Sequence, residues 1–192
     1  MSNDQTLGFF TDGIAVVLDG ADAEAYARLG LAVLAGGDHS GAIASAEQAL
    51  ALCPNLAAGH GAPGVSLAYA GRPQEGLAAL QACIRLDPRG PYLVNRLTQV
   101  ALAHFFCKDY QAAANAATLA IKSFPTFGSP YRWLAAALGM LGHTEQAQAA
   151  LQTAVRISPA EIDFQVCNRP AWFRPQDHAL MINGLTKAGW MA

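Results

Sequence analysis

Charge is scarce in this sequence. Only 14% of its 192 residues are Asp, Glu, Lys or Arg, and 12 basic against 14 acidic residues leave a formal net charge of −2. That balance offers no positive surface to track a phosphate backbone, so nucleic acid is not an expected partner. Long apolar runs are missing too. The stretch from Ile14 to Leu18 is too short to cross a bilayer, and no membrane association is expected. The opening Met1-Ser-Asn-Asp-Gln carries an acid where a secretory leader needs Lys or Arg, which makes a cytoplasmic location the expectation. Cysteine is limited to Cys53, Cys83, Cys107 and Cys167, without CxxC spacing or a neighbouring His, so reduced and mostly buried thiols are expected. β-Branched residues are sparse, which argues against sheets. What remains is a chain that is 53% hydrophobic, rich in Ala and long enough to bury a core. Closely packed helices follow. So little charge also leaves apolar surface for a partner or a second copy to cover.

Internal repetition organises the chain. Prolines stand at Pro54, Pro88, Pro125 and Pro159, separated by 34, 37 and 34 residues. Each closes a similar phrase: Ala49-Leu-Ala-Leu-Cys-Pro, Cys83-Ile-Arg-Leu-Asp-Pro, Ala120-Ile-Lys-Ser-Phe-Pro and Ala154-Val-Arg-Ile-Ser-Pro. A turn precedes each phrase, at Gly37-Asp38, Gly71-Arg72, Lys108-Asp109 and Gly142-His143, with apolar residues at helical spacing on both sides. Each unit therefore reads helix, turn, helix. Small residues recur where the two helices must approach: Ala42, Gly76, Ala113 and Ala147, then Ala49, Cys83, Ala120 and Ala154 seven positions later. Bulk at those positions would force the helices apart.

This pattern resembles the tetratricopeptide repeat (TPR). In the first unit Tyr26, Leu29-Gly30, Ala42, Ala49 and Pro54 stand at the family positions, with Val33 and Ala46 replacing two aromatics. The second unit keeps Gly64, Leu67, Leu80 and Pro88 but carries Pro63, which predicts a helix that starts late or bends. Three extra residues in the third unit fall in the Arg89-Gly90-Pro91 connection. The fourth has Tyr131, Leu134-Ala135, Leu138, Ala147, Leu151, Ala154 and Pro159. The resemblance implies an all-α, right-handed superhelical solenoid of antiparallel helix pairs with terminal capping helices. Its expected divisions are residues 1–22, a half-repeat or capping helix; 23–56, 57–90, 91–127 and 128–161, four repeats; and 162–192, a linker and capping helix. Pro175, Lys187 and Gly189 mark the ends of that last helix, whose face of Leu180, Met181, Gly184, Leu185 and Ala188 is expected to cover Leu138, Leu141 and Leu151.

The ending Trp172-Phe-Arg-Pro-Gln-Asp-His, followed by Leu-Met-Ile-Asn-Gly-Leu-Thr-Lys-Ala-Gly, resembles the TPR tails of α-proteobacterial class III adenylate cyclases, as does Leu102-Ala-His-Phe. Cyclase chemistry needs a separate α/β domain with metal-binding Asp residues, for which this chain has neither strands nor length. What the resemblance implies is a regulatory or assembly role.

TPR modules bind ligands along the surface of their first helices. Those positions hold Leu31, Leu34, Val65, Tyr69, Asn95, Thr98, Leu102, Phe105, Phe106, Arg132 and Met140, a mainly apolar groove suited to a protein or peptide. Core packing is the competing reading for Leu31, Val65 and Leu102. The Lys and Asn set that clamps a terminal carboxylate in chaperone-binding TPRs is missing. His39, His60, His104, His143 and His178 show no metal-ligand spacing, and Asp12, Asp19 and Asp38 suit turns and solvation better than acid–base work. No phosphate loop or nucleophile elbow occurs. A non-catalytic scaffold without metal or cofactor is the expectation, with self-association into a homodimer as the alternative.

Overall fold

The computed structural model describes residues 22–54 and 57–191, the last few residues before Gly61 partly by backbone alone. The expected N-terminal half-repeat therefore lies outside the described residues, Asp22 excepted. Among those residues the chain is all-helical, with no strand. It divides between Pro88 and Arg89 into two compact units.

The first unit holds two helix pairs: α1 (Ala23–Ala35) with α2 (His39–Leu52), and α3 (Ala57–Tyr69) with α4 (Pro73–Leu86). Asp22 caps α1 by accepting from the Glu24 and Ala25 amides, at 2.9 and 3.1 Å. Asp38 caps α2 by accepting from the Gly41 amide at 2.8 Å and the Ser40 hydroxyl at 2.9 Å. Those two hydrogen bonds, the amide first, hold the Asp38 carboxyl below its ordinary range. Helix α3 begins at Ala57, six residues before Pro63, so of the late start or bend expected from that proline the late start does not occur. The cost of the missing N–H is offset by packing, since every residue from Gly61 to Tyr69 is buried. Glycines allow α3 and α4 to touch by backbone: a Cβ on Gly76 would sit 2.5 Å from the Gly64 carbonyl oxygen.

The second unit holds α5 (Leu93–Phe106) with α6 (Tyr110–Ser123) and α7 (Ser129–Leu141) with α8 (Thr144–Ile157). Beyond Ser158 the chain continues into a short helix, α9 (Pro159–Ile162), a π-helical turn (Asp163–Cys167) and the terminal helix α10 (Pro175–Lys187). The small-residue column anticipated from the repeat is buried in all four pairs, its six alanines completely.

One backbone conformation ends every second helix. Cys53, Asp87, Phe124 and Ser158 all take φ between −138° and −152° with ψ between 64° and 87°. Each precedes a proline, whose ring disfavours the helical conformation at the residue before it. Each turn inside a pair passes through a positive φ, at Gly37, Gly71, Lys108 (63°) and Gly142 (80°). Lys108 alone has a Cβ to strain there. Relieving about 1–2 kcal/mol of left-handed strain against about 0.5–1 kcal/mol of glycine entropy leaves a net gain of up to about 1.5 kcal/mol. Lys108→Gly is therefore expected to raise the melting temperature by about 2–4 °C. Gly142→Ala, where a Cβ would meet no atom within 4 Å, should lower it through backbone strain alone. Thermal denaturation followed by circular dichroism checks both.

Candidate functional site

The eleven first-helix residues expected to line a groove divide by burial. In the first unit Leu34, Val65 and Tyr69 are buried, while half-buried Leu31 packs against the core of Ala27, Ala49 and Ala62. In the second, Thr98, Leu102, Phe105, Phe106 and Arg132 are buried, and Asn95 and Met140 keep part of their surface. Thr98 also turns its hydroxyl to the Val94 carbonyl at 2.7 Å. The enclosed side chains contribute packing, and the surface left to a partner is that of Leu31, Asn95 and Met140.

In the second unit the enclosing element is the chain's own C-terminal segment. Phe173 is fully buried, with its ring 6.3 Å from that of Phe106 and stacked 6.5 Å from that of Trp133. Phe105 and Phe106 also meet Trp133, at 5.5 and 5.7 Å, so the aromatic cluster is continuous. Arg132, 2% exposed, lies with its guanidinium 5.2 Å from the Trp133 ring and Nη1 3.5 Å from Glu161 Oε1. Further along, α10 crosses α7 at close range: a Cβ on Gly184 would lie 2.6 Å from the Ala136 carbonyl oxygen. Asn183 Nδ2 reaches Met140 Sδ at 3.7 Å. Met181, Gly184, Leu185 and Ala188 are buried as anticipated, whereas Leu180 is only half-buried. The covered side of α7 is corrected, however. Ala136 and Gly139 meet α10, and Leu138 points into a different groove.

That groove, of about 530 Å³, was not anticipated. Its floor is Tyr131, Leu134 and Leu138 of α7; Ala114 and Thr118 of α6 and Ala149, Ala150 and Thr153 of α8 form its walls. Gln111, Asn115 and Gln146 stand at its exposed rim. The available signal was the outward face of α6 and α8, where amides and alanines replace the charges that a solvated helix usually presents.

The segment that closes the second unit also holds a histidine. His178 Nε2 lies 3.0 Å from the Gln165 carbonyl, and its ring meets Phe173 edge-on at 5.4 Å. Burial, opposed by that hydrogen bond and reinforced by Arg169 and Arg132, depresses its pKa below 6.5. His104 is depressed too, by burial against an opposing Asp109. Of the cysteines, Cys83 is buried, Cys53 and Cys107 are half-buried and Cys167 is exposed, so burial is less complete than expected. Among the described residues no group of three or more His, Cys, Asp or Glu is placed to hold a metal ion. Nor is any helix of the described residues long and apolar enough to cross a membrane.

The tetratricopeptide repeat family model matches residues 23–56. No curated protein sequence matches the chain. Among solved structures, MamA of Desulfovibrio magneticus RS-1 is similar at 20% identity, covering 87% of this chain and 93% of that one with a TM-score of 0.60. TTC0263, a thermophilic TPR protein of Thermus thermophilus, is similar at 20% identity, covering 80% and 82% with a TM-score of 0.61. Pseudomonas aeruginosa pilF, at 17% identity, covers 91% and 79% with a TM-score of 0.62. The fold is that of a TPR protein.

Two outcomes follow. Deleting the chain after Pro170 exposes the surfaces that bury Phe173, Met181 and Leu185, removing about 4–9 kcal/mol at the usual 1.5–3 kcal/mol per large apolar side chain. The truncated protein should melt lower and aggregate, as calorimetry and light scattering would show. The second concerns pH. A histidine depressed in the folded state is protonated more readily in the unfolded chain, so its contribution is complete above 6.5 and declines as pH falls through that value. Melting temperature should drop between about pH 7.5 and 5.5, and His178→Gln, which keeps a donor for the Gln165 carbonyl, should flatten the decline.

Proposed function

We propose that the chain is a non-catalytic scaffold that binds another protein through apolar surface. The observation that carries this reading is the set of large apolar side chains left in solvent: Tyr92 is 64% exposed, Phe124 54% and Leu119 51%, with Leu86 and Phe164 also exposed. In a chain that is only 14% charged, these are not offset by a strongly solvated surface. Leu31, Asn95 and Met140 extend the same invitation on the first helices of their pairs. A partner covering such side chains gains hydrophobic stabilisation without a catalytic constellation.

The finer part of the proposal is a regulatory or assembly role of the kind suggested by the cyclase-like ending. Its support is the phrase itself, whose opening residues are employed in closing the unit. Trp172 packs on Phe164, Phe173 fills the aromatic cluster, Arg174 pairs with Asp177 at 2.7 Å, and His178 holds Gln165. A shared ending of this kind points to a shared way of closing the last repeat.

The competing occupant is a second copy. Crosslinking the intact chain in lysate should recover a distinct protein, and Leu119→Asp or Phe124→Asp, both at exposed positions, should reduce capture severalfold. Light scattering on the order of tens of micromolar should report a monomer. A dimer that the same substitutions dissociate would establish self-association instead.

A further inference from the structure

The groove over α7 is selective in two respects. Its lining contains no Asp, Glu, Lys, Arg or His. Its hydroxyls are already engaged: Thr118 donates to the Ala114 carbonyl at 2.8 Å, Thr153 to the Ala149 carbonyl at 2.9 Å, and Tyr131 to the Pro125 carbonyl at 3.1 Å. Gln111 donates to Asn115 at 3.2 Å, so even the rim amides are partly occupied. No hydroxyl proton is left free inside: the hydroxyl oxygens can still accept, and the free donors are the amides of the rim.

We propose that this groove is a docking site for an amphipathic helix of a partner protein whose inserted face is apolar and whose flanks are uncharged. The choice of helix follows from backbone accounting. An extended segment brings an unpaired N–H and C=O with each residue, and the C=O groups turned to the walls and floor would find no free donor there, because each hydroxyl has spent its proton on a backbone carbonyl. A helix pairs its own backbone and delivers only side chains, here onto Leu134 and Leu138 between the small Ala114 and Ala149. The choice of uncharged flanks follows from charge matching. A Lys or Glu carried to this lining would lose water and find no opposite charge, whereas Gln or Asn can exchange hydrogen bonds with Gln146. The inner face of the same repeat cannot take this occupant while Phe173 and α10 lie on it.

The inference rests on the scaffold reading and adds a location and a partner chemistry to it. The probe is a labelled Ala-rich helical peptide of about 18 residues, long enough to hold its helix, with Leu at i, i+3, i+4 and i+7 and Gln flanks. Sister peptides carry Lys or Glu flanks, and a fourth keeps the leucines but is made extended by prolines. Fluorescence anisotropy with the full chain should show saturable binding of the Gln-flanked helix. The other three should bind at least about ten-fold more weakly. Ala149→Lys should reduce binding of the Gln-flanked helix at least about ten-fold while the fold is retained, because Lys at that exposed site stands four residues after Glu145. Gln152→Lys, at an exposed position of α8 outside the groove lining, should leave binding unchanged.

Equal binding of charged or extended peptides, no binding of any peptide, or indifference to Ala149→Lys would overturn the proposal. So would a dimer that Ala149→Lys dissociates, since the occupant would then be a second copy. Loss of this site leaves the scaffold reading standing if crosslinks to a natural partner map to other surfaces, and both fail together only if no partner is captured.

Discussion

The structure depends on helices approaching to within backbone contact. At Gly64 and Gly76 in the first unit, and at Gly184 against Ala136 in the second, an added Cβ would fall 2.5–2.8 Å from atoms of the facing helix. The six completely buried alanines of the repeat column have the same consequence elsewhere. Close approach gains dispersion contacts along the whole helix face, in exchange for excluding large side chains from it. An Ala-built core has little room for bulk. Part of the chain's large apolar residues is therefore left outside, at Leu119, Phe124 and Tyr92, where a partner can reach them.

The second unit handles its bulk differently. Phe105, Phe106, Trp133 and Phe173 gather into one aromatic cluster, and the last of these arrives from beyond the repeats. Arg132 is buried against Trp133 and answered by Glu161, so the same closure that hides aromatic surface also encloses a charge. An uncompensated guanidinium at that depth would be costly, which ties the segment after Ser158 to α7 electrostatically as well as by packing. With the inner side of α7 occupied, its outer side remains open, floored by Leu134 and Leu138. The division between closed and open faces runs along a single helix.

Much of the fold was legible beforehand because its signals are local. A residue before proline is disfavoured in the helical conformation, so Pro54, Pro88, Pro125 and Pro159 marked the ends of α2, α4, α6 and α8. The turns at Gly37, Gly71, Lys108 and Gly142 were visible for a similar reason, since each bend demands a positive φ. Pro63 does not delay the start of its helix, because packing from Gly61 to Tyr69 outweighs a local breaker. The site was less legible. Repeat position alone cannot say whether Leu102 or Phe106 is offered to a partner or enclosed, because that depends on what the remainder of the chain lays over it.

The sequence by itself determined the helix pairs, their boundaries and the small residues between them, since each follows from dihedral limits or from sterics a few residues apart. Tertiary structure alone decided which face of α7 is covered. Phe173 and Gly184 lie about 40 or more positions from Trp133 and Ala136, and no periodicity spans that separation. Only the path of the chain after Ser158 brings them together, and by doing so it buries Arg132 and Phe106 and leaves Leu138 facing an open, uncharged groove.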